Sequence, residues 1–210
     1  MPTTNLDETA KQILDAASRR FLHYGYGKTT MSEIAKDCNM STGNLYRYFP
    51  SKLDIAEMFV RVLRREQVAQ LREVADAPDL SPAEKLRAFF MRKYSLAYER
   101  FHAKPKAYEL STELLAARPK IAIEWETAEG RVLAEILIQG DKEGLFAVEN
   151  PGETAKILQD AGYRFTSPAV FHEGGYDELA AELNGVIDLI LDGFAFRAAK
   201  RDAMEARERA

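Results

Sequence analysis

An all-α fold of about nine helices is predicted by three observations. Apolar residues recur at three- and four-residue spacing through almost every segment of the 210 residues, the pattern of amphipathic helices. No stretch keeps the strict alternation of a half-buried strand. The helical runs are punctuated by Ser/Thr-x-x-Glu boxes, glycines and prolines where helices begin and end. A hydrophobic content of 46% with 30% charged residues is that of a chain that folds around a core rather than a disordered one.

Ala10, Ile13, Leu14, Ala17 and Phe21 form one stripe that stops at Gly25-Tyr26-Gly27, glycine being the usual residue just past a helix end. Thr30-Met31-Ser32-Glu33 is a capping box: the hydroxyl takes the N3 amide and the glutamate reaches back to the cap. It opens a short helix over about 30–38, with Met31, Ile34, Ala35 and Cys38 inward. Ser41 caps a second short helix over about 42–49, with Leu45 and Phe49 inward and Pro50 behind. Ser51 starts a long run to about Asp76, carrying Ile55, Met58, Phe59, Val62, Leu71 and Val74. Ser81-Pro82-Ala83-Glu84 joins a capping box to a proline at the first helical position, and Leu86, Phe89, Phe90, Tyr94, Ala97 and Phe101 follow on the buried face. Helices are expected over about 105–116 and 120–138, the second ending at Gly140. Beyond a loop marked by Gly144 and Asn150-Pro151-Gly152, helix is expected over about 153–169, bent or broken at Gly162 and Pro168. His172-Glu173-Gly174-Gly175 leads into a last helix from about Tyr176 to Ala203.

The net charge of −4 argues against a protein that coats nucleic acid indiscriminately. The distribution is uneven: residues 1–52 carry +2 and the remainder −6, so an anion-binding surface belongs in the first quarter. The single cysteine, Cys38, forms no intramolecular disulfide, and no Cys/His cluster has zinc spacing, so neither metal nor cofactor is expected. No apolar run approaches the ~20 residues of a membrane span. Met-Pro-Thr-Thr-Asn-Leu-Asp-Glu lacks the basic start and apolar stretch of a secretory leader, so a cytoplasmic location is expected. His23, His102 and His172 are far apart, and no nucleophile–base pair or glycine-rich phosphate loop accompanies them, so no enzyme is expected.

Two short helices, 30–38 and 42–49, joined by three or four residues have the dimensions of a helix-turn-helix whose second helix enters the major groove. That helix opens with Ser41-Thr42-Gly43-Asn44, small and polar where a base edge would lie. Glycine in a helix costs about 1 kcal/mol against alanine, and close backbone approach accounts for Gly43. Asn44 can pair bidentately with adenine, and Thr42 can meet a thymine methyl or a base acceptor. Tyr46, Arg47 and Tyr48 offer hydroxyls and a cation to phosphates, Thr30 reaches the opposite lip of the groove, and Lys52 stands at the start of the next helix. Tyr48 has a second reading, packing against the first helix.

Ile13-Leu14-Asp15-Ala16-Ala17, Phe21, Gly25-Tyr26, Thr29-Thr30, Ile34-Ala35, Ser41-Thr42-Gly43-Asn44-Leu45-Tyr46-Arg47-Tyr48-Phe49 and Ser51-Lys52 together resemble the signature of TetR-type (TetR/AcrR) transcriptional regulators, over roughly residues 10–58. Two positions depart from it. Asn39-Met40 stands where the turn usually has Gly-Val, and asparagine tolerates the left-handed backbone nearly as well. Pro50 replaces a commonly polar or basic residue. The resemblance implies a helix-turn-helix domain over 1–52 and a helical effector-binding and dimerisation domain over 53–210. It implies a homodimeric repressor on a palindromic operator of double-stranded DNA, released by a small-molecule effector. It also implies that the last two helices, 153–169 and 176–203, form the dimer interface, through Leu183, Val186, Ile187, Ile190, Leu191 and Phe194. Six large apolar residues in twelve fit a helix buried on two sides.

Among the aromatics of the second domain, Tyr94, Tyr98, His102 and Trp125 pair an apolar body with a polar tip and are the candidates for an effector pocket. Core packing is the alternative for each, and a surface position near a helix C-terminus is a further one for His102. Arg61, Arg64, Arg65 and Arg72 make a basic face on the long fourth helix, read as solvated. A regulator controlled by a protein partner, rather than a small ligand, is the alternative function. It would show a filled core and an exposed apolar patch.

Overall fold

The computed structural model describes residues 7–208; the first six residues, on which the absence of a leader was partly read, lie outside them. Among the described residues nine α-helices follow one another: α1 (Glu8–Tyr24), α2 (Met31–Asp37), α3 (Thr42–Tyr48), α4 (Lys52–Asp76), α5 (Pro82–Ala103), α6 (Pro105–Ala117), α7 (Lys120–Lys142), α8 (Pro151–Ala161) and α9 (Tyr176–Glu208). Two 3-10 turns, Tyr163–Thr166 and Val170–His172, lie between α8 and α9. There is no strand among the described residues, as the periodicity predicts.

The chain forms two compact units. One comprises the residues up to Arg65 together with Arg100–Ala122; the other comprises Glu66–Glu99 and the chain from Ile123 onward. The first unit is built from the predicted stripes. Ile13, Ala17, Phe21, Ile34, Leu45 and Ile55 are completely buried, and α1 packs against both α2 and α6. Leu110 and Leu114 of α6 complete this core.

In the second unit Leu86, Phe89, Tyr94, Leu133, Leu137 and Ile187 are buried. Burying a large aliphatic or aromatic side chain is worth roughly 1.5–3 kcal/mol, which is why these faces hold the bundle together. Two charged groups among the described residues, Lys85 and Glu129, are buried in this interior. Lys85 Nζ donates to Gln139 Oε1 at 2.9 Å. Glu129 has Lys93 Nζ at 2.8 Å and Gln67 Nε2 donating at 2.6 Å, so its carboxyl oxygens keep partners away from water.

Two boundaries differ from expectation. The eighth helix stops at Ala161 instead of running to 169. Gly162 follows it, and a Cβ there would come within 3.0 Å of the Phe90 ring, so the chain passes Phe90 where only glycine fits easily. The seventh helix does not stop at Gly140 but continues to Lys142. Gly140 is instead a packing glycine: Phe146 folds back on it so closely that a Cβ would lie 2.0 Å from the ring, and Phe146 in turn stacks on Phe194.

Candidate nucleic-acid interface

The local chemistry of residues 25–52 fixes the reading head. Gly25 ends α1 with φ 91°, a conformation that L side chains rarely adopt. The capping box at α2 is formed as expected: Glu33 N donates to Thr30 Oγ1 at 3.3 Å, and Thr30 N donates to Glu33 Oε2 at 2.9 Å. The Thr30 hydroxyl also donates to Glu33 Oε2, at 2.7 Å, and this bond together with the Thr30 N–H holds the Glu33 carboxyl below its ordinary pKa range. At the other end of α2, Asn39 is the only non-glycine residue with positive φ (53°) among the described residues. Its N–H donates to Lys36 O at 3.1 Å and the Met40 N–H to Ala35 O at 3.0 Å. This is a Schellman closure with asparagine in the glycine position.

Ser41 then caps α3, its hydroxyl accepting from Asn44 N at 3.1 Å. Two long-range devices hold the pair of helices in place. Arg20 on α1 donates to both carboxylate oxygens of Asp37, at 2.5 and 3.0 Å, and lies 3.3 Å from Glu33. That bond holds Asp37 below the ordinary carboxylate range and ties α2 to α1. Lys52 donates to Tyr26 O at 2.7 Å and Thr29 O at 2.8 Å, with its ammonium 4.1 Å from the centre of the Tyr26 ring. Burial lowers its pKa while Glu113 and Glu33 oppose that shift.

Thr30, Ser41, Gly43, Tyr46, Arg47 and Tyr48 are exposed, and Thr42 and Asn44 are half-buried. Leu45 and Phe49 face the core. A Cβ built on Gly43 would meet nothing within 4 Å, so nothing inside the chain requires a glycine there. Thr30 and Ser41 use their hydroxyls as helix caps, and Lys52 is engaged over a longer range, with two of its three N–H groups on backbone carbonyls. The exposed cations Lys28 and Lys36 were not singled out in the sequence. Their only signal was charge, which does not separate a phosphate contact from a solvated lysine. The basic face of α4 is partly paired, with Arg61 on Glu57 and Arg72 on Glu135. Cys38 is buried, and burial raises its pKa.

The four pocket candidates separate. Tyr94 is buried and donates to Tyr176 O at 2.8 Å; its ring lies against those of Tyr98, Phe171 and Tyr176, and burial, with Tyr176, Tyr98 and Asp177 nearby, pushes its pKa up to about 12. Tyr98 belongs to the same aromatic cluster. Trp125 is buried in the same unit, and His102 is exposed in the other, against Phe101. A surface depression of about 240 Å³, near Tyr163, Arg164 and Glu173, includes none of the four.

The dimer candidates also divide. Leu183, Ile187 and Phe194 are buried within their own unit, whereas Val186, Ile190 and Leu191 are half-buried. The opposite face of α9 exposes Leu189 (73%) and Phe196 (71%), and on α8 Ile157 is exposed. Gly185 and Gly193, on the same face of α9 as Leu189, have open space where a Cβ would stand. Their spacing of four from Leu189 was the available signal, hidden by the larger stripe beside it.

Comparison with known proteins bears on both ends of the chain. The sequence model for bacterial regulatory proteins of the tetR family matches residues 13–58. The model for a tetracyclin repressor-like C-terminal domain matches residues 82–187. The HTH-type transcriptional repressor KstR2 of Mycobacterium tuberculosis is 27% identical over 184 residues, covering 83% of this chain and 91% of that protein. The structure of Thermus thermophilus FadR, a TetR-family transcriptional repressor in complex with lauroyl-CoA, superposes with a TM-score of 0.64 at 26% identity, covering 88% of this chain and 94% of that one. A transcriptional regulator of Cytophaga hutchinsonii shares the fold, with a TM-score of 0.68 at 21% identity, covering 90% of this chain and 100% of that one.

Proposed function

The chain belongs to the tetR family of bacterial regulatory proteins, and on that premise we propose a homodimeric repressor that holds a pseudo-palindromic operator and releases it when a small molecule binds. The observation that carries the reading is the uncovered face of α3. A capped, well-packed helix turns Gly43, Tyr46 and Arg47 outward, and its glycine has no internal reason to be one. A helix that seats its backbone against a groove wall gives that reason.

Thr42 and Asn44 are assigned to base edges, with Gly43 allowing the approach. Thr30, Ser41, Tyr46, Arg47 and Tyr48 are assigned to phosphates, flanked by Lys28 and Lys36. Lys52 acts by holding the Tyr26–Thr29 loop, and so Thr30, in place; its third N–H serves the backbone of the DNA.

A second copy of the chain is assigned to the outer face of α9, where Leu189 and Phe196 would be covered and Gly185 and Gly193 would let two helices come close. Leu183, Ile187, Leu191 and Phe194 then support that face from beneath, with Val186 and Ile190 along its flank. The effector is assigned to the unit formed by Glu66–Glu99 and the chain from Ile123 onward. FadR of T. thermophilus holds lauroyl-CoA, and KstR2 is described as a ketosteroid regulator. Lauroyl-CoA and a ketosteroid are therefore the first two probes.

The test is selection of the purified protein against random duplex DNA, followed by affinity measurement at two salt concentrations. The expected result is an enriched pseudo-palindrome bound with a steep salt slope. Failure to enrich any sequence, with feeble binding at low salt, would overturn the reading. Release of the enriched operator by either probe would identify the effector class.

A further inference from the structure

We propose that Arg118 is a positioning residue of the reading head, clasping the α6–α7 corner to the first two turns of α4. The inference rests on the DNA-binding reading above and goes beyond it, to how the head is held.

The chain leaves the N-terminal unit inside α4 after Arg65, returns to it inside α5 at Arg100, and leaves again inside α7 after Ala122. Residues 100–122 are thus an excursion of the second half of the chain into the first unit. Arg118 stands at the corner of that excursion. It caps α6, with its N–H donating to Leu114 O at 2.8 Å. Pro119 follows it, which disfavours a helical backbone at Arg118, where φ is −137° and ψ 68°. The guanidinium is therefore presented from a backbone that is fixed on both sides.

It forks across two carboxylates. Nη2 donates to Asp54 Oδ1 at 2.6 Å, and Nη1 donates to Glu57 Oε2. Both acids are held at their other oxygen as well. Ser51 Oγ donates to Asp54 Oδ2 at 2.6 Å, and Arg61 Nε donates to Glu57 Oε1 at 2.7 Å. Ser51 is also the α4 cap, accepting from Asp54 N at 3.2 Å, and lies two residues beyond the buried Phe49 that closes α3. Thus Ser51, Asp54, Arg118, Glu57 and Arg61 form one continuous chain of bonds. The planar fork suits this use, and a lysine could reach only one of the two acids at a time. All three central side chains are between 18% and 33% exposed, so water and salt screen them incompletely.

The test uses the full-length protein with Arg118→Ala, Arg118→Lys, Glu57→Gln and the double variant Arg118→Ala/Glu57→Gln. Operator affinity is measured together with amide hydrogen exchange of the DNA-free protein. Arg118→Ala is expected to weaken operator binding about tenfold, the scale of coupling between sites. The salt slope should not change, because no phosphate contact is lost. Arg118→Lys should fall between, and the double variant should be no worse than Arg118→Ala. Exchange should quicken over residues 42–58 and stay unchanged over 82–98. Unchanged affinity in both Arg118 variants, additive losses in the double variant, or a shallower salt slope would each overturn the proposal. Should Arg118→Ala not fold, Arg118→Lys and Glu57→Gln carry the same comparison. Should the wild-type protein enrich no operator, the DNA-binding reading fails, and the exchange data alone decide the clasp: faster exchange over 42–58 upholds it and unchanged exchange removes it.

Discussion

Helices α3 and α9 each bury one stripe and leave the other side uncovered, but they leave different chemistry there. On α3 the outward groups are hydroxyls, a guanidinium and a bare glycine, Gly43. On α9 they include Leu189 and Phe196, more than two thirds exposed, with Gly185 and Gly193 on the same face. Neither unit needs these residues for its own core. Polar groups on a short capped helix match a charged, hydrogen-bonding partner; large apolar groups between small ones match another helix. Glycines occur on both faces with open space at the Cβ, which leaves room for the close approach proposed for DNA on one and a second helix on the other. Gly140 is the counterexample, since its missing Cβ is taken up by Phe146 of its own unit.

The largest expected effect comes from making the α9 face polar. Leu189→Glu with Phe196→Glu should yield a monomer by sedimentation and lower operator affinity by about a hundredfold or more, since two linked heads gain 10²–10⁴ over one. A stable dimer that keeps its affinity would move the interface elsewhere. Next is Asn44→Ala, which should cost ~1–3 kcal/mol at the one or two base pairs it reads and relax preference there. An equal loss on every sequence would assign Asn44 to the backbone instead. Tyr46→Phe should weaken binding by about 1 kcal/mol with no change in melting temperature. If affinity is unchanged, Tyr46 leaves the contact set.

Gly43→Ala sharpens the comparison because its two effects have opposite sign. Alanine is the better helix former by up to about 1 kcal/mol, so the free protein should be as stable or more so, while operator binding weakens. A variant stabilised without loss of binding would show that Gly43 approaches nothing. The smallest effect concerns acid. Burial would raise the Asp54 and Glu57 pKa values, but Ser51 and Arg118 at Asp54, and Arg118 and Arg61 at Glu57, outweigh it and hold both below their ordinary values. Folded-state values that are depressed give stability complete at neutral pH and lost as pH falls below about 4. A melting temperature that declines no more steeply below that pH in the wild type than in Asp54→Asn/Glu57→Gln would contradict this.

Much of the first unit was legible because its determinants are local. Thr30 and Glu33 are three residues apart, Asn39 and Met40 close α2 on its own carbonyls, and Ile34, Leu45 and Phe49 fall at helical spacing. What escaped depends on distant partners. The use of Lys52 requires knowing that Tyr26 and Thr29 come beside it, 26 and 23 residues back. The end of α8 depends on Phe90 lying against Gly162. In α9 apolar residues occur on both sides, so periodicity found the inner stripe of Leu183, Ile187 and Phe194 and passed over Leu189 and Phe196. His102 was grouped with Tyr94 by chemistry alone, while the return of residues 100–122 to the first unit put them apart.

Cys38 has a practical consequence. It is the only cysteine in the sequence, it is buried in the first unit, and burial disfavours its thiolate, the reactive form. A cysteine introduced at an exposed position such as Lys36 would then be the dominant reactive thiol under mild labelling. A fluorophore or spin label could be attached to each reading head of the proposed dimer without first removing a native residue, and the distance between heads could be followed as DNA and candidate ligands are added.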